Sequence, residues 1–153
     1  MDYLMARDTI SGQEGRAFAT IEGKVEPMFY AKNVEATVKK NKAEVKTLGR
    51  RVVQHKAAGW TGEGKMTIYT VTSTFRQIML NYMKNGVDTY FDIMVVNDDP
   101  ASSIGKQTVI LKGVNLDEVV MAKLDTESDV LEEEVSFTFE DVDLMDSFSA
   151  PKN

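Results

Sequence analysis

The most restrictive feature of this sequence is a change of apolar period within residues 59–86. Residues 66–71 alternate in the way that a half-buried strand requires and are rich in β-branched and aromatic side chains. The apolar side chains that follow recur at helical spacing and would form one stripe on a helix, which we expect to face the core. The stripe consists of Phe75, Ile78, Met79, Tyr82 and Met83. Ser73 or Thr74 can cap the start of this helix through a hydroxyl, and Gly86 suits its left-handed C-cap.

The rest of the chain shows extended patterns. A long stretch, residues 28–46, is expected to break into a hairpin near Asn41, and the glycine-rich residues 59–64 are expected to form a loop. Residues 88–96 are apolar on both faces, which predicts a central strand. The other predicted strands cover residues 16–22, 52–58, 107–112, 116–124 and 130–143. Seven or eight strands and one helix predict a mainly β (α+β) fold, a small β-barrel or sandwich on which the helix packs.

The 153 residues suit one domain. We expect an N-terminal arm over residues 1–15, the domain over residues 16–146 and a C-terminal tail over residues 147–153. Cysteine is absent, which excludes disulfides and thiolate sites and fits a protein made in a reducing cytosol. No stretch resembles a signal peptide or could span a bilayer, so we expect no membrane insertion by the subunit alone.

The charge is distributed unevenly along the chain. Residues 1–56 hold eleven Lys and Arg against seven Asp and Glu, whereas residues 125–146 hold ten acids and no base. These runs are either solvated faces or the two sides of a head-to-tail interface between copies. The candidate interface residues are Lys39, Lys40, Lys42, Lys46, Arg50 and Arg51 on the basic side, and Asp125, Glu127, Asp129, Glu132, Glu133 and Glu134 on the acidic side.

The sequence offers no convincing catalytic, cofactor-binding or metal-binding constellation. Residues 59–65 match a phosphate-binding P-loop up to its last position, but Met66 stands where a hydroxyl must bind magnesium. His55 is the only histidine, and we expect it at a surface or a strand edge. Residues 97–99 indicate a turn. The side chains of Glu132 to Glu134 would alternate between the two faces of a strand and could not converge. We therefore expect no enzyme, no cofactor and no metal.

Four segments, read in order, resemble a known family. They are Ser11-Gly12-x-x-Gly15 to Gly23, Leu48-Gly49-Arg50-Arg51, the run GWTGEGKMTI at residues 59–68, and EEVSFTFED at residues 133–141. Their order and spacing resemble the tail tube proteins of contractile phages and phage-like particles. That family includes the PBSX-type prophage element and is related to bacteriocin and type VI secretion tube proteins.

The resemblance implies a structural subunit of an inner tail tube that forms a conduit through a target envelope. It implies hexameric rings that stack head to tail, with strands of neighbouring copies joined into an inner barrel. The implied partners are a contractile sheath, baseplate or initiator proteins, a tail terminator, and DNA that passes through an acidic lumen without sequence-specific binding. Assembly would take place in the cytoplasm of a bacterial host, and the product would be the tail of a virion or phage-like particle. A monomeric β-barrel module that binds a small ligand in its glycine-rich loop, or binds a protein, is the alternative.

Overall fold

The computed structural model describes residues 4–28 and 30–149. Residues 1–3 of the predicted N-terminal arm and residues 150–153 of the predicted C-terminal tail lie outside this part of the chain. Two short 3-10 helices, Ala6–Asp8 and Gly12–Glu14, come first in this part of the chain. The strands and the α-helix are β1 (Gly15–Ile21), β2 (Lys24–Pro27), β3 (Ala31–Val45), β4 (Gln54–Tyr69), α1 (Thr74–Asn85), β5 (Phe91–Asp98), β6 (Lys106–Glu118), β7 (Glu132–Phe139) and β8 (Asp141–Asp146). The predicted mainly β fold with a packed helix is confirmed.

The strands form one antiparallel sheet in the order β2-β1-β5-β6-β7-β4-β3, with β8 beside β6. The sheet folds over on itself at β6, whose first half pairs with β5 and β8 and whose second half pairs with β7. Gly113, between the two halves, has a φ of +65° that other residues rarely adopt. One apolar cluster fills the space between the two halves of the folded sheet and includes Ile93 from β5 and Val135 from β7. As predicted, β5 is central, between β1 and β6.

The helix lies where its apolar period predicts, and Gly86 forms the expected left-handed cap with a φ of +70°. Phe75 is buried in the core, but Tyr82 and Met83 are 52% and 59% exposed. Their predicted place on the core face is wrong, because the helix contacts the core only as far as Met79 and its last turn extends beyond it. Of the two predicted caps, Ser73 or Thr74, Ser73 occupies the N-cap position, but its side chain makes no capping hydrogen bond.

The predicted glycine-rich loop is wrong, because β4 runs without interruption through residues 59–64. Gly62 pairs with Phe139 and Gly64 with Phe137 on β7, and each aromatic ring occupies the space where a Cβ on the paired glycine would stand. These two glycines therefore leave room for a neighbouring strand's rings and do not form a turn. Gly59 has a φ of +94° at a β-bulge in the β3–β4 pairing.

The predicted break near Asn41 is also wrong. The pairing of β3 with β4 shifts register between Lys40 and Lys42 but continues beyond it as far as Val45 and Gln54. The hairpin closes only over residues 46–53. An exposed hydrophilic strand and a broken strand carry the same residue types, which is why the sequence pattern did not separate them.

Candidate self-assembly interface

The β3–β4 hairpin extends well beyond the folded body. Gly62 is the last residue of β4 that pairs with β7, so from residue 61 back to residue 54 this strand pairs only with β3. We call residues 38–61 the arm. Its paired strands are about 25 Å long at roughly 3.4 Å per residue. Every arm residue except Val53 is exposed, so no side chain of the arm is fully buried in its own subunit.

The arm is strongly basic. It holds seven cations against one carboxylate, Glu44, a net charge of +6 that leaves −12 on the rest of the chain. The cations are Lys39, Lys40, Lys42, Lys46, Arg50, Arg51 and Lys56. All six basic candidates from the sequence therefore lie on one structural feature. Among the ion pairs formed by the described residues, none includes an arm cation.

The acidic candidates lie on β7 and on the segment before it. Asp125, Glu127 and Asp129 are exposed in residues 119–131, which join β6 to β7. Glu132 accepts a hydrogen bond from Lys32 Nζ at 3.1 Å, and both side chains are partly exposed. This hydrogen bond and the negative charge of Glu132 raise the pKa of Lys32. Glu134 is exposed two residues later on the same strand. Most of this segment therefore presents unpaired carboxylates to solvent.

The basic and acidic regions lie at opposite ends of the same strand ladder. Gly62, next to the arm, pairs with Phe139 at the end of β7, and Tyr69, at the other end of β4, pairs with Glu132. The distance along β4 from Lys56 to Tyr69 is about 45 Å at roughly 3.4 Å per residue. The fold thus keeps these two sets of candidate residues apart within a subunit.

Glu133 differs from the other acidic candidates because it is only 4% exposed. Its carboxylate pairs with the Arg76 guanidinium inside the subunit and also accepts a hydrogen bond from Thr70 Oγ1 at 3.4 Å. Arg76 Nε donates to the carbonyl oxygen of Val120 at 2.9 Å, so the pair fixes α1 against β7 and the start of the acidic segment. Strand alternation was the available signal, since Glu133 shares a face with the buried Val135.

The outer face of the β3–β4–β7 region is polar and mostly acidic. Glu35, Glu63 and Asp117 line a groove of about 480 Å³ there, with Lys65 as a lining cation. Burial raises the pKa of Asp117, and the nearby Glu63 carboxylate raises it further. The opposite face of the same strands carries the core, so the acidic face points away from the body.

His55 and residues 97–99, also singled out in the sequence, lie on the arm and at a turn, respectively. His55 is exposed on the arm, opposite Glu44. Asp99 accepts hydrogen bonds from the backbone N–H groups of Ser11 and Ala101, both at 2.9 Å, as a turn-forming aspartate does. Across residues 4–28 and 30–149, no three acidic, histidine or cysteine side chains are grouped so that they could hold a metal ion. No helix in those ranges has both the length and the apolar character needed to cross a membrane.

Two solved assemblies contain chains of similar fold. A chain in the six-fold symmetrised baseplate of the anti-feeding prophage (AFP) has a TM-score of 0.64 at 11% identity, over 92% of this chain and 97% of that one. A chain in the PVC sheath-tube complex, from an extracellular contractile injection system in its extended state, has a TM-score of 0.63 at 12% identity, over 85% of this chain and 88% of that one. At these identities the likeness shows a shared fold.

Sequence comparison goes further than fold. The phage-like element PBSX protein XkdM of Bacillus subtilis (strain 168) is 47% identical over 146 residues, which are 95% of this chain and 97% of that protein. The family model described as "Phage tail tube protein" matches residues 2–146. With its β-sandwich, packed helix and charged arm, the chain belongs to the phage tail tube protein family.

Proposed function

We propose that this protein is a structural subunit of the inner tail tube of a contractile phage or phage-like particle. Its copies assemble into hexameric rings that stack head to tail and form a conduit through a target envelope. The function is assembly, and no residue has a catalytic role. Membership of the tail tube family supports this proposal at the level of the structural role.

The separation of charge along β4 is the observation that carries the stacking. A basic arm at one end and Asp125, Glu127, Asp129, Glu132 and Glu134 toward the other let identical subunits meet in one direction. Such a contact is heterologous, because the basic arm of one copy binds the acidic segment of the next, so the two copies use different surfaces. Repeating it generates a column of rings, which is the geometry of a tube. We leave Glu133 out of this interface because its charge is paired inside the subunit.

The arm also has a physical reason to seek a neighbour. A two-stranded ribbon is marginally stable in water, and the seven cations on this one repel each other. In addition, β3 is the last strand of the sheet, so no strand within residues 4–28 and 30–149 lies beside its outer backbone groups. Strands of adjacent copies would satisfy those groups and join the subunits into a continuous inner barrel.

The family and the solved assemblies support the other partners that we propose. The similar AFP chain belongs to a six-fold baseplate and the similar PVC chain to a sheath-tube complex, which support hexameric rings, a baseplate initiator and a surrounding sheath. A terminator would close the far end. We place the acidic face with Glu35, Glu63 and Asp117 toward the lumen, where carboxylates repel DNA phosphates and let DNA slide. Assembly would take place in the bacterial host cytoplasm, and the product is the particle's tail.

Negative-stain electron microscopy over a concentration series, with light scattering on the same samples, tests the proposal. Stacked rings or hollow tubes with six-fold end views are the expected result. Purified baseplates of the same particle should shorten any lag, because they supply the first ring. A protein that stays monomeric with baseplates present would overturn the tube proposal.

A monomeric binding module is the second candidate, and one groove favours it. The groove has a volume of about 840 Å³ between β1 and β3 and is lined by Phe18, Met28, Val34 and Tyr69, with Arg16 and Lys32 as cations. This size is in the range of small-molecule sites. The glycine-rich segment cannot hold the ligand as a loop, since it is strand. A thermal-shift screen separates the candidates, because a ligand of the native state raises the melting temperature with concentration.

A further inference from the structure

The apolar face of the β3–β4 pair continues past the body and onto the arm. Residues directly opposite each other on paired strands share a face, and on this face Met66 is fully buried. Two and three pairs further along, the same face presents Val38 opposite Gly62 and Lys40 opposite Trp60. Val38 is 52% exposed and Trp60 43% exposed. Neither residue belongs to the apolar cluster that covers this face in the body.

Trp60 is well suited to act as an anchor. Its ring lies 6.3 Å from the ring of the buried Phe139, with 45° between the planes, so one side of the indole is held by the core. The other side faces solvent. Tryptophan presents a large area with few rotatable bonds, and it is among the residues that dominate binding energy when they are buried at an interface.

The charge around Trp60 identifies what covers it. Lys40 lies directly opposite the indole, within an arm whose net charge is +6, whereas the rest of the chain carries −12. An acidic surface with apolar positions is therefore the complementary partner, and the body of another copy provides that charge. We infer that the Trp60 face (Val38, Lys40 and Trp60) binds the body of a second copy and that Trp60 is the anchor of this contact. The inference rests on the proposed self-assembly and adds the residue on which it depends.

Trp60 is the only tryptophan in the chain, so its fluorescence reports on this contact in the unmodified protein. We expect its emission maximum to shift to shorter wavelength, and its quenching by acrylamide to fall several-fold, as light scattering shows assembly. Tubes whose tryptophan remains as open to acrylamide as in the monomer would overturn the inference and leave the tube proposal intact. A small oligomer with a protected tryptophan and no rings would support the inference and overturn the tube proposal. A protein that stays monomeric at every concentration, with baseplates present, would overturn both.

Three variants separate an anchor from a bystander. Trp60→Ala should raise the protein concentration needed for assembly about tenfold or more, as expected for an interface hot spot. Trp60→Phe should retain most of the assembly, because it keeps an aromatic ring against Phe139. Tyr90→Ala removes an aromatic side chain that is 56% exposed and lies off the arm, and it should assemble like the wild type. Circular dichroism melts verify that each variant is folded. Assembly of folded Trp60→Ala at the wild-type concentration would contradict the inference.

Discussion

The ring of Phe137 occupies the space that a side chain on Gly64 would need. The two residues are paired across β4 and β7, and a Cβ placed on Gly64 would lie 2.3 Å from Cζ of Phe137 and 2.9 Å from the carbonyl oxygen of Glu35. Gly62 has the same relationship with Phe139. The glycines thus let two large rings fill the core where β4 leaves the body and becomes the arm.

Gly64→Ala is therefore expected to destabilise the subunit by about 1–3 kcal/mol, the usual range for overpacking a core. Glu35 contributes backbone here, so the added methyl group cannot be accommodated by a side-chain rotation alone. Urea unfolding measures the change. Gly12→Ala is the matched control, since nothing lies within 4 Å of a Cβ at that exposed position. Equal stability of Gly64→Ala and the wild type would show that the rings can move aside.

Glu133→Gln is expected to lower the unfolding free energy by about 3–5 kcal/mol, because it leaves the Arg76 guanidinium without its counter-charge in a mostly buried site. Glu134→Gln, at the exposed neighbouring position, should stay within about 0.5 kcal/mol. The double variant Arg76→Met with Glu133→Leu should recover much of the loss, since no unpaired charge remains. Additive losses in the double variant would contradict an energetic coupling of the pair.

Reversing both arginines at the tip of the arm, Arg50→Glu with Arg51→Glu, should block or shorten tubes while the monomer remains folded. The tip is fully outside the core, so the melting temperature should change little. Electron microscopy gives the tube lengths. Lys24→Glu with Lys84→Glu makes the same charge change off the arm and should assemble normally.

Complementary reversals test the same contact from the other side. Adding Asp125→Lys and Glu127→Lys to the arginine double variant should restore tubes, because attraction between the two ends is re-established. Wild-type assembly should also weaken with salt, as the screening length falls from about 10 Å at 0.1 M to about 3 Å at 1 M. Normal tubes from the arginine double variant would remove the tip from the interface.

Asp117→Asn is expected to stabilise the subunit slightly at neutral pH. Burial and the nearby Glu63 raise the pKa of Asp117 above its ordinary value of 3.8, so the folded state favours the protonated carboxyl. Protonated Asp117 therefore contributes stability to the wild type below pH 3.8, and this contribution is lost as the pH rises through the raised pKa in the folded state. The variant should therefore exceed the wild type near pH 7, by less than about 0.5 kcal/mol for so exposed a residue, and the difference should close toward pH 3.

Melting curves of both proteins from pH 3 to pH 8 give the measurement for Asp117. Asp125→Asn removes one charge from the exposed acidic segment and controls for the change in net charge. A stability difference between the Asp117 variant and the wild type that grows as the pH falls would have the wrong sign for this explanation.

Local patterns predicted the elements that depend on local chemistry. The helix was predictable because the stripe from Phe75 to Met79 and the cap at Gly86 agree. The path of β4 was not, because the reason for Gly62 and Gly64 lies in rings that are more than 70 residues away in sequence and one strand away in space. The residue type alone does not distinguish a glycine in a loop from a glycine that leaves room for an aromatic ring.

The candidate interface was predictable in composition and unpredictable in arrangement. Charge runs along the chain identify Arg50 and Arg51 on one side and Asp125 on the other. That these groups lie at opposite ends of one ladder depends on the antiparallel pairing of β4 with β7, which has no local signal. The glycine-rich pattern predicts a loop at Trp60, whereas this residue lies on a strand of the arm and is 43% exposed, which depends on strand pairing and has no local signal.

The independence of the arm from its own core has an evolutionary consequence. A substitution at Lys42 or Leu48 alters neither a packed contact nor an ion pair among the described residues. In the assembly that we propose, selection can therefore change the recognition surface while the fold stays constant, and related subunits can drift apart in the copies they accept. We expect two such proteins produced in one cell to sort into separate polymers once their arms, and the surfaces that receive them, have diverged.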